Sequence, residues 1–286
     1  MKSFEEFKAE VMKWMQEKAK EQEYILSEGQ NYKVNQQLDY VSLGKKQNPS
    51  CQPMVYVQDM YIAYHEEMEK GDYSEKDIIE TVLRKFWDIL TSSLKIAQEI
   101  PRNLEDKTKL KELVMCQLVN ADKNREMLKN MPHREYLDLA IIYRVMFDDE
   151  SSALVTNGLA GDMGMEEEEL YQMARRNLNR ILPIKEKIMD SEDDIDMIFI
   201  SSNFIYGATV LLDTERLGQF AERIRGDFYI ILSSIHELII MPASKWDKEA
   251  LEVALWEFNR TAIEPDIYLS DTVYLYDSQT KTVRIA

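Results

Sequence analysis

The segment Gly207–Pro242, GATVLLDTERLGQFAERIRGDFYIILSSIHELIIMP, constrains the fold of this chain more than any other. Ala208–Leu212, apolar but for Thr209, reads as a strand after a Gly207 turn. Leu217, Phe220, Ala221 and Ile224 then recur at helical spacing, with Asp213 or Thr214 as the cap and Gly226 as the stop. Phe228–Leu232 and Leu238–Met241 follow as a hairpin whose turn is Ser233-Ser234-Ile235-His236-Glu237. Met197–Ser201 reads as a strand before this segment. After it, Ser244 caps a helix with Leu251, Ala254, Leu255, Phe258 and Ala262 on one side, and Val273–Tyr276 and Val283–Ile285 form a terminal hairpin. Matching helical and strand periods predict Leu217, Phe220, Ile224, Leu255 and Phe258 buried against Phe228, Ile230, Leu238 and Ile240. The fold class this implies is α+β: antiparallel or mixed sheets with helices packed on one face. Two sub-domains are expected, an N-terminal α+β region over 1–183 and a C-terminal one over 184–286.

The first half is patterned less sharply. Ser3-Phe4-Glu5-Glu6 is a capping box, and Phe4, Phe7, Val11, Trp14 and Met15 fall on one stripe behind it. Tyr24-Ile25-Leu26 and Tyr40–Leu43 predict a small antiparallel meander, with a further strand over Pro53–Val57. A helix over Gln58–Lys70 ends at Gly71. Ser74 caps the next, with Ile78, Val82, Phe86, Ile89 and Leu90 as its apolar row and Pro101 beyond its end. Leu113–Val119 reads as a strand, Lys123–Lys129 as a short helix, Tyr136–Phe147 as one long strand carrying Asp138, and Asp148-Asp149-Glu150 as a turn. Ala153–Val155 reads as a strand and Glu166–Leu178 as a helix.

Charge and cysteine content narrow the function classes. The formal net charge is −17, from 35 Lys and Arg against 52 Asp and Glu. Nucleic-acid binding draws on a cationic surface, and anionic membranes repel such a chain, so neither is an expected partner. A basic protein is. Part of the acidic excess lies in Glu166–Glu169, which opens a helix where carboxylates suit the free N–H groups, and part in Asp190–Asp196, which reads as a solvated loop. Cys51 and Cys116 are the only two cysteines. They make neither a disulfide framework nor a zinc knuckle and suggest a reducing compartment. The charged N-terminus has no signal-like apolar core, and no apolar run reaches the roughly 18 residues of a membrane span. A cytoplasmic location is the expectation.

Four segments carry a family resemblance: Met131–Ala140 (MPHREYLDLA), Gly226–Ile230 (GDFYI), Ser233–Glu237 (SSIHE) and Leu269–Tyr274 (LSDTVY). Over nearly its whole length the chain resembles an uncharacterised bacterial family, a domain of unknown function common in clostridial gut anaerobes. The resemblance implies a bacterial cytoplasmic protein carried on mobile elements. It implies no activity and no catalytic residue.

Ser234 and His236 are the only compact set with catalytic character. Two apart on a strand, they share a face, and a hydroxyl beside an imidazole is the start of a nucleophile–base pair. No Gly-x-Ser-x-Gly elbow accompanies them, and a turn stapled by serine hydroxyls accounts for the same residues. His65, with Glu66, Glu67 and Glu69 on one helix, and His133 lack the partners of a metal centre, and an exposed acidic helix face accounts for the first. Asp190–Asp196 lacks the glycine and closing glutamate of a calcium loop. No glycine-rich phosphate loop is present. No metal and no cofactor are expected. The function expected is that of an acidic, non-enzymatic interaction or regulatory protein that binds another protein. The alternative is a hydrolase or other small-molecule enzyme centred on Ser233–Glu237, and a third reading is an acidic inhibitor that mimics nucleic acid.

Overall fold

Ser3 opens the first helix as its sequence predicts. Its hydroxyl accepts from the Glu6 N–H, and the Glu6 carboxylate accepts from the Ser3 N–H at 2.9 Å. The computed structural model describes residues 1–45, 52–71, 73–97, 107–146, 152–181, 183–191, 194–202 and 206–286. Cys51, Pro101, Phe147 and the turn at Asp148–Glu150 lie outside them. The chain divides into two units, residues 1–33 with 37–106 and residues 34–36 with 107–286. The 183/184 boundary read from the sequence lies inside the second unit.

In the first unit, α1 (Phe4–Glu21) buries Phe7, Val11, Met15 and Ala19, one residue per turn. The strands β1 (Ile25–Lys33), β2 (Gln36–Gly44) and β3 (Met54–Tyr56) make a three-stranded sheet in that order. Helix α2 (Val57–Lys70) stops at Gly71, whose φ of 75° is the left-handed conformation a helix end favours. Helix α3 (Glu75–Ala97) buries Ile78, Ile79, Val82, Leu83, Trp87, Leu90 and Leu94. This buried row drifts around the helix from Ile78 towards Leu94. It leaves Ile89, read from sequence as part of the stripe, 42% exposed.

In the second unit, α4 (Lys107–Glu112) precedes β4 (Val114–Asn120), α5 (Arg125–Leu128), β5 (His133–Tyr136), β6 (Leu139–Met146) and β7 (Ser152–Leu154). These strands form a four-stranded sheet in which β6 pairs with β4, β5 and β7. The long strand expected over Tyr136–Phe147 is therefore a hairpin. Leu137 takes φ 58° and Asp138 turns the chain, which frees the Asp138 carboxylate from the sheet for long-range bonds. Next come α6 (Asn157–Met163), not evident in the sequence, and α7 (Glu167–Ile181). The acids opening α7 do more than suit its N-terminus: Glu167 accepts from Arg134 and from the Tyr143 hydroxyl, and Glu168 from Arg134.

The remaining elements are β8 (Ile184–Ser191), β9 (Asp194–Ser202), a 3-10 helix (Gly207–Leu212), α8 (Thr214–Ile224), β10 (Phe228–Ile231), β11 (Glu237–Pro242), α9 (Lys248–Thr261), β12 (Val273–Asp277) and β13 (Thr282–Ile285). The strands form a six-stranded sheet ordered β13-β12-β10-β11-β9-β8 with every pair antiparallel. The α+β class with several sheets is what the sequence predicts, and several local readings change.

Asp190, Ser191 and Asp194–Asp196 lie in the paired strands β8 and β9, with Ser191 opposite Asp194, rather than in a loop; Asp190, Ser191 and Asp194 are solvent-exposed as expected, and Glu192 and Asp193 lie outside the described residues. Lys245 bridges Asp194 at 3.0 Å and Asp196 at 2.7 Å. Ala208–Leu212 is a 3-10 helix in which every residue is buried. An apolar run wholly buried on all sides has no periodicity to distinguish strand from helix. Arg225, at φ 63°, takes the left-handed position after α8 in place of Gly226, and Asp247 caps α9 in place of Ser244.

Helices cover both faces of the six-stranded sheet, against the one-face expectation. Phe228, Ile230, Ile240, Tyr274 and Tyr276 share one face by register. A Cβ on Gly218 of α8 would stand 3.7 Å from the Tyr276 hydroxyl, so α8 lies over that face. Leu251 and Leu255 of α9 pack instead with Ile231, Met241 and Val273 on the other face. Phe258 is 48% exposed. The position one turn after Leu255 belongs to Asn259, which is buried because its amide donates to Ser270 O at 2.9 Å and to the Asp271 carboxylate at 2.8 Å.

Candidate functional site

The turn that carries Ser234 and His236 is built by backbone pairing. Beyond β10 the chain leaves the β11 ladder and pairs with residues 267–270. Ser270 N–H donates to Leu232 O at 3.0 Å, Leu269 N–H to Ser233 O at 3.0 Å, and Ile235 N–H to Ile267 O at 2.9 Å. Ser233 and Ser234 are buried by this staple. The Ser234 hydroxyl accepts from the backbone N–H of His236 at 3.2 Å, a local bond typical of serine in turns. The Ser233 hydroxyl donates to Glu237 at 3.3 Å. The structure thus joins Ser234 to the main chain of His236. Among the described residues, no hydrogen bond joins the hydroxyl to the imidazole.

The His236 ring looks elsewhere. Its Nδ1 accepts from the Tyr206 N–H at 3.4 Å, and its ring centre lies 6.3 Å from that of Tyr206. A neutral imidazole accepting at Nδ1 carries its proton on Nε2. Burial pushes the His236 pKa down, against the attraction of Glu237 and Asp266, so the neutral ring is favoured. Gly207 is required beside it: a Cβ there would lie 2.3 Å from His236 O, a backbone atom that cannot move aside alone.

The other histidines sit apart from this turn. His65 on α2 is partly buried, and not on an exposed acidic face as the sequence suggests. Its ring stands edge-on to Tyr61 at 4.5 Å and to Tyr64 at 5.3 Å, and the aromatic cover accounts for its burial. His133 begins β5, with Nδ1 3.0 Å from Met131 O. Cys116 is buried in β4, which pushes its thiol up to about 12. Among the described residues, no group of three or more His, Cys, Asp or Glu is arranged to hold a metal ion. Among them also, no helix is long and apolar enough to cross a membrane.

Two features escaped sequence reasoning. One is a polar centre on Asp138, whose carboxylate accepts from the hydroxyls of Ser270, Thr272 and Tyr274 at 2.6 to 2.9 Å. It joins two of the family-like segments, Met131–Ala140 and Leu269–Tyr274. Its signal was an acid within an apolar strand pattern. The other is the outer side of α9. Val253 is 60% and Trp256 50% exposed, and Trp246 is exposed in the preceding turn. The Arg260 guanidinium lies 3.8 Å over the Trp256 ring. Trp256, Phe258, Arg260, Ala254, Glu257 and Thr261 line a shallow depression of about 550 Å³. Of the acids on α9, Glu252 pairs with Lys248 at 3.2 Å, while Glu249 and Glu257 stand exposed.

A family model, described as a family of unknown function, matches residues 4–278. No curated protein and no solved structure matches the chain.

Proposed function

Because the chain belongs to the DUF5688 family, a family of unknown function, its role has to be read from its own surfaces, and we propose that it is a non-enzymatic interaction protein whose recognition surface is the outer side of α9. The observation that carries this reading is the set of large apolar side chains on one fourteen-residue helix, Val253, Trp256 and Phe258, all about half exposed or more. Tryptophan and arginine are the residue types that dominate binding energy at protein interfaces, and Trp256 and Arg260 are already stacked and so hold less rotamer freedom to lose on binding.

The partner's chemistry follows from charge. Glu249 and Glu257 flank the apolar side chains, and the whole chain carries −17. Both favour a protein segment with apolar anchors between basic residues, which the field of the chain attracts. The bacterial origin, cytoplasmic setting and mobile-element context belong to this proposal as implications of the resemblance. The turn at Ser233–Glu237 supports a structural role better than a hydrolytic one, since its hydroxyls are engaged with the main chain and with Glu237.

A photo-crosslinking residue at Val253, used in the source cell, identifies the partner, and titration of the purified pair measures the affinity. The expectation is a basic protein whose affinity falls at least tenfold with Trp256→Ala and falls with added salt. Affinity indifferent to both Trp256→Ala and Val253→Glu overturns the reading. So does an esterase, phosphatase or peptidase activity that Ser234→Ala and His236→Ala each abolish in folded protein, because loss from either member alone marks a catalytic unit.

A further inference from the structure

Among the described residues, Arg144 has no counter-charge. It lies on β6 opposite Met115 of β4 and Leu154 of β7, and it is half-buried. Its Nε donates to the Ser152 hydroxyl at 2.9 Å and its Nη1 to the Gln117 side-chain oxygen at 3.4 Å, both neutral acceptors. No carboxylate among the described residues pairs with it. The partly buried Arg134 differs: it holds Glu167 and Glu168. An arginine does not escape burial by losing its proton, so a guanidinium with neutral partners leaves a fixed positive potential at its open side. Burial disfavours the charged form here, and Tyr206 offsets this only in part.

The geometry around Arg144 is that of a receptor for an oxyanion. A guanidinium has five N–H groups in a planar fork, and the two bonds above leave both N–H groups of Nη2 and one of Nη1 for another acceptor. The terminal edge of the fork binds a carboxylate or phosphate through two parallel bonds, one from each Nη. The Tyr206 ring stands 5.7 Å from the guanidinium carbon and closes one side. Tyr206 is itself held firmly: it is buried, takes φ 67° at the head of the 3-10 helix, and bonds His236 Nδ1 through its N–H. The His236 ring flanks the same tyrosine with an Nε2–H donor unused among the described residues.

We propose that Arg144, with the Tyr206 ring beside it, binds the oxyanion of a small molecule, a carboxylate or a phosphate, with the Arg144 fork as anchor. The site is separate from the α9 surface and stands or falls independently of it.

The full chain is titrated with succinate and with inorganic phosphate, each against sodium chloride at equal ionic strength, by calorimetry and by the NMR signal of the Arg144 side-chain Nε–H. Saturable binding of one of the two, with a shift of that signal, is expected. Arg144→Lys keeps the charge but lacks the fork and weakens binding at least tenfold; Arg144→Gln abolishes it. Which anion binds separates the carboxylate from the phosphate source. Binding by neither anion up to about 10 mM, roughly the weakest affinity a two-bond anchor gives, overturns the proposal. Equal binding by wild type and Arg144→Lys also overturns it, and that variant decides the matter if Arg144→Gln does not fold.

Discussion

The Tyr274 hydroxyl donates to the Asp138 carboxylate at 2.6 Å, across 136 residues of sequence. Ser270 and Thr272 donate to the other carboxylate oxygen, so one side chain in the β5–β6 turn holds the segment that leads into β12. Burial and the Asp138 charge together keep the Tyr274 hydroxyl protonated well above the usual tyrosine range. Asp138→Ala strands three hydroxyls at once and should lower stability by about 3 kcal/mol, with Tyr274→Phe costing only about 1 kcal/mol. Urea midpoints of the two variants measure this; equal midpoints would mean the other two bonds carry nothing.

Tyr276 presents the opposite case. Its ring is stacked on Phe228 at 4.8 Å, yet its buried hydroxyl has no hydrogen-bond partner among the described residues. Removing an unpaired buried hydroxyl while keeping the ring relieves a desolvation cost of about 1 kcal/mol. Tyr276→Phe should therefore melt at the same temperature as wild type or higher. A clear fall in Tm would show that the hydroxyl does bond something.

The two sides of α9 should respond differently to truncation. Leu255 is packed in the core beneath the helix, and Leu255→Ala should cost about 2–5 kcal/mol. Phe258, placed in that core by sequence periodicity, is half exposed, and Phe258→Ala should cost less than about 1 kcal/mol. Thermal or denaturant unfolding of both variants tests the assignment. A large loss from Phe258→Ala would return it to the core.

His236 sets a pH dependence with a definite sign. Its folded pKa is depressed below the ordinary value of 6.5, so below that pH the unfolded chain binds more protons than the folded one. Its contribution to stability is present above about pH 6.5 and is lost as pH falls from there through the lower folded pKa. Between pH 7.5 and 5.5, His236→Gln should lose less stability than wild type. Parallel slopes for the two proteins would place the histidine outside the linkage.

Local chemistry determined the elements whose causes lie within a few residues. The capping box at Ser3, the left-handed Gly71, the Asp213 cap and the alternation of Phe228 with Ile230 each act on neighbours one or two turns away, and the structure has them where the pattern predicts. The candidate turn was legible to the same degree: its serines, its histidine and its place between β10 and β11 were evident, because a turn between two apolar runs is a local event.

The direction each side chain takes from those elements was decided only by tertiary packing. The 3-10 helix at Gly207–Leu212 is buried on all sides, so its apolar run carried no period to read. Asn259 displaced Phe258 from the core because the carbonyl of Ser270 needed a donor there. His236 faces Tyr206 and not Ser234, and Arg144 lies beside that same tyrosine 62 positions earlier in the chain, since the sheets and the 3-10 helix bring them together. Helix and strand follow from forces between near neighbours along the chain. Which polar groups meet follows from burial, where each must find a partner wherever the fold has placed one.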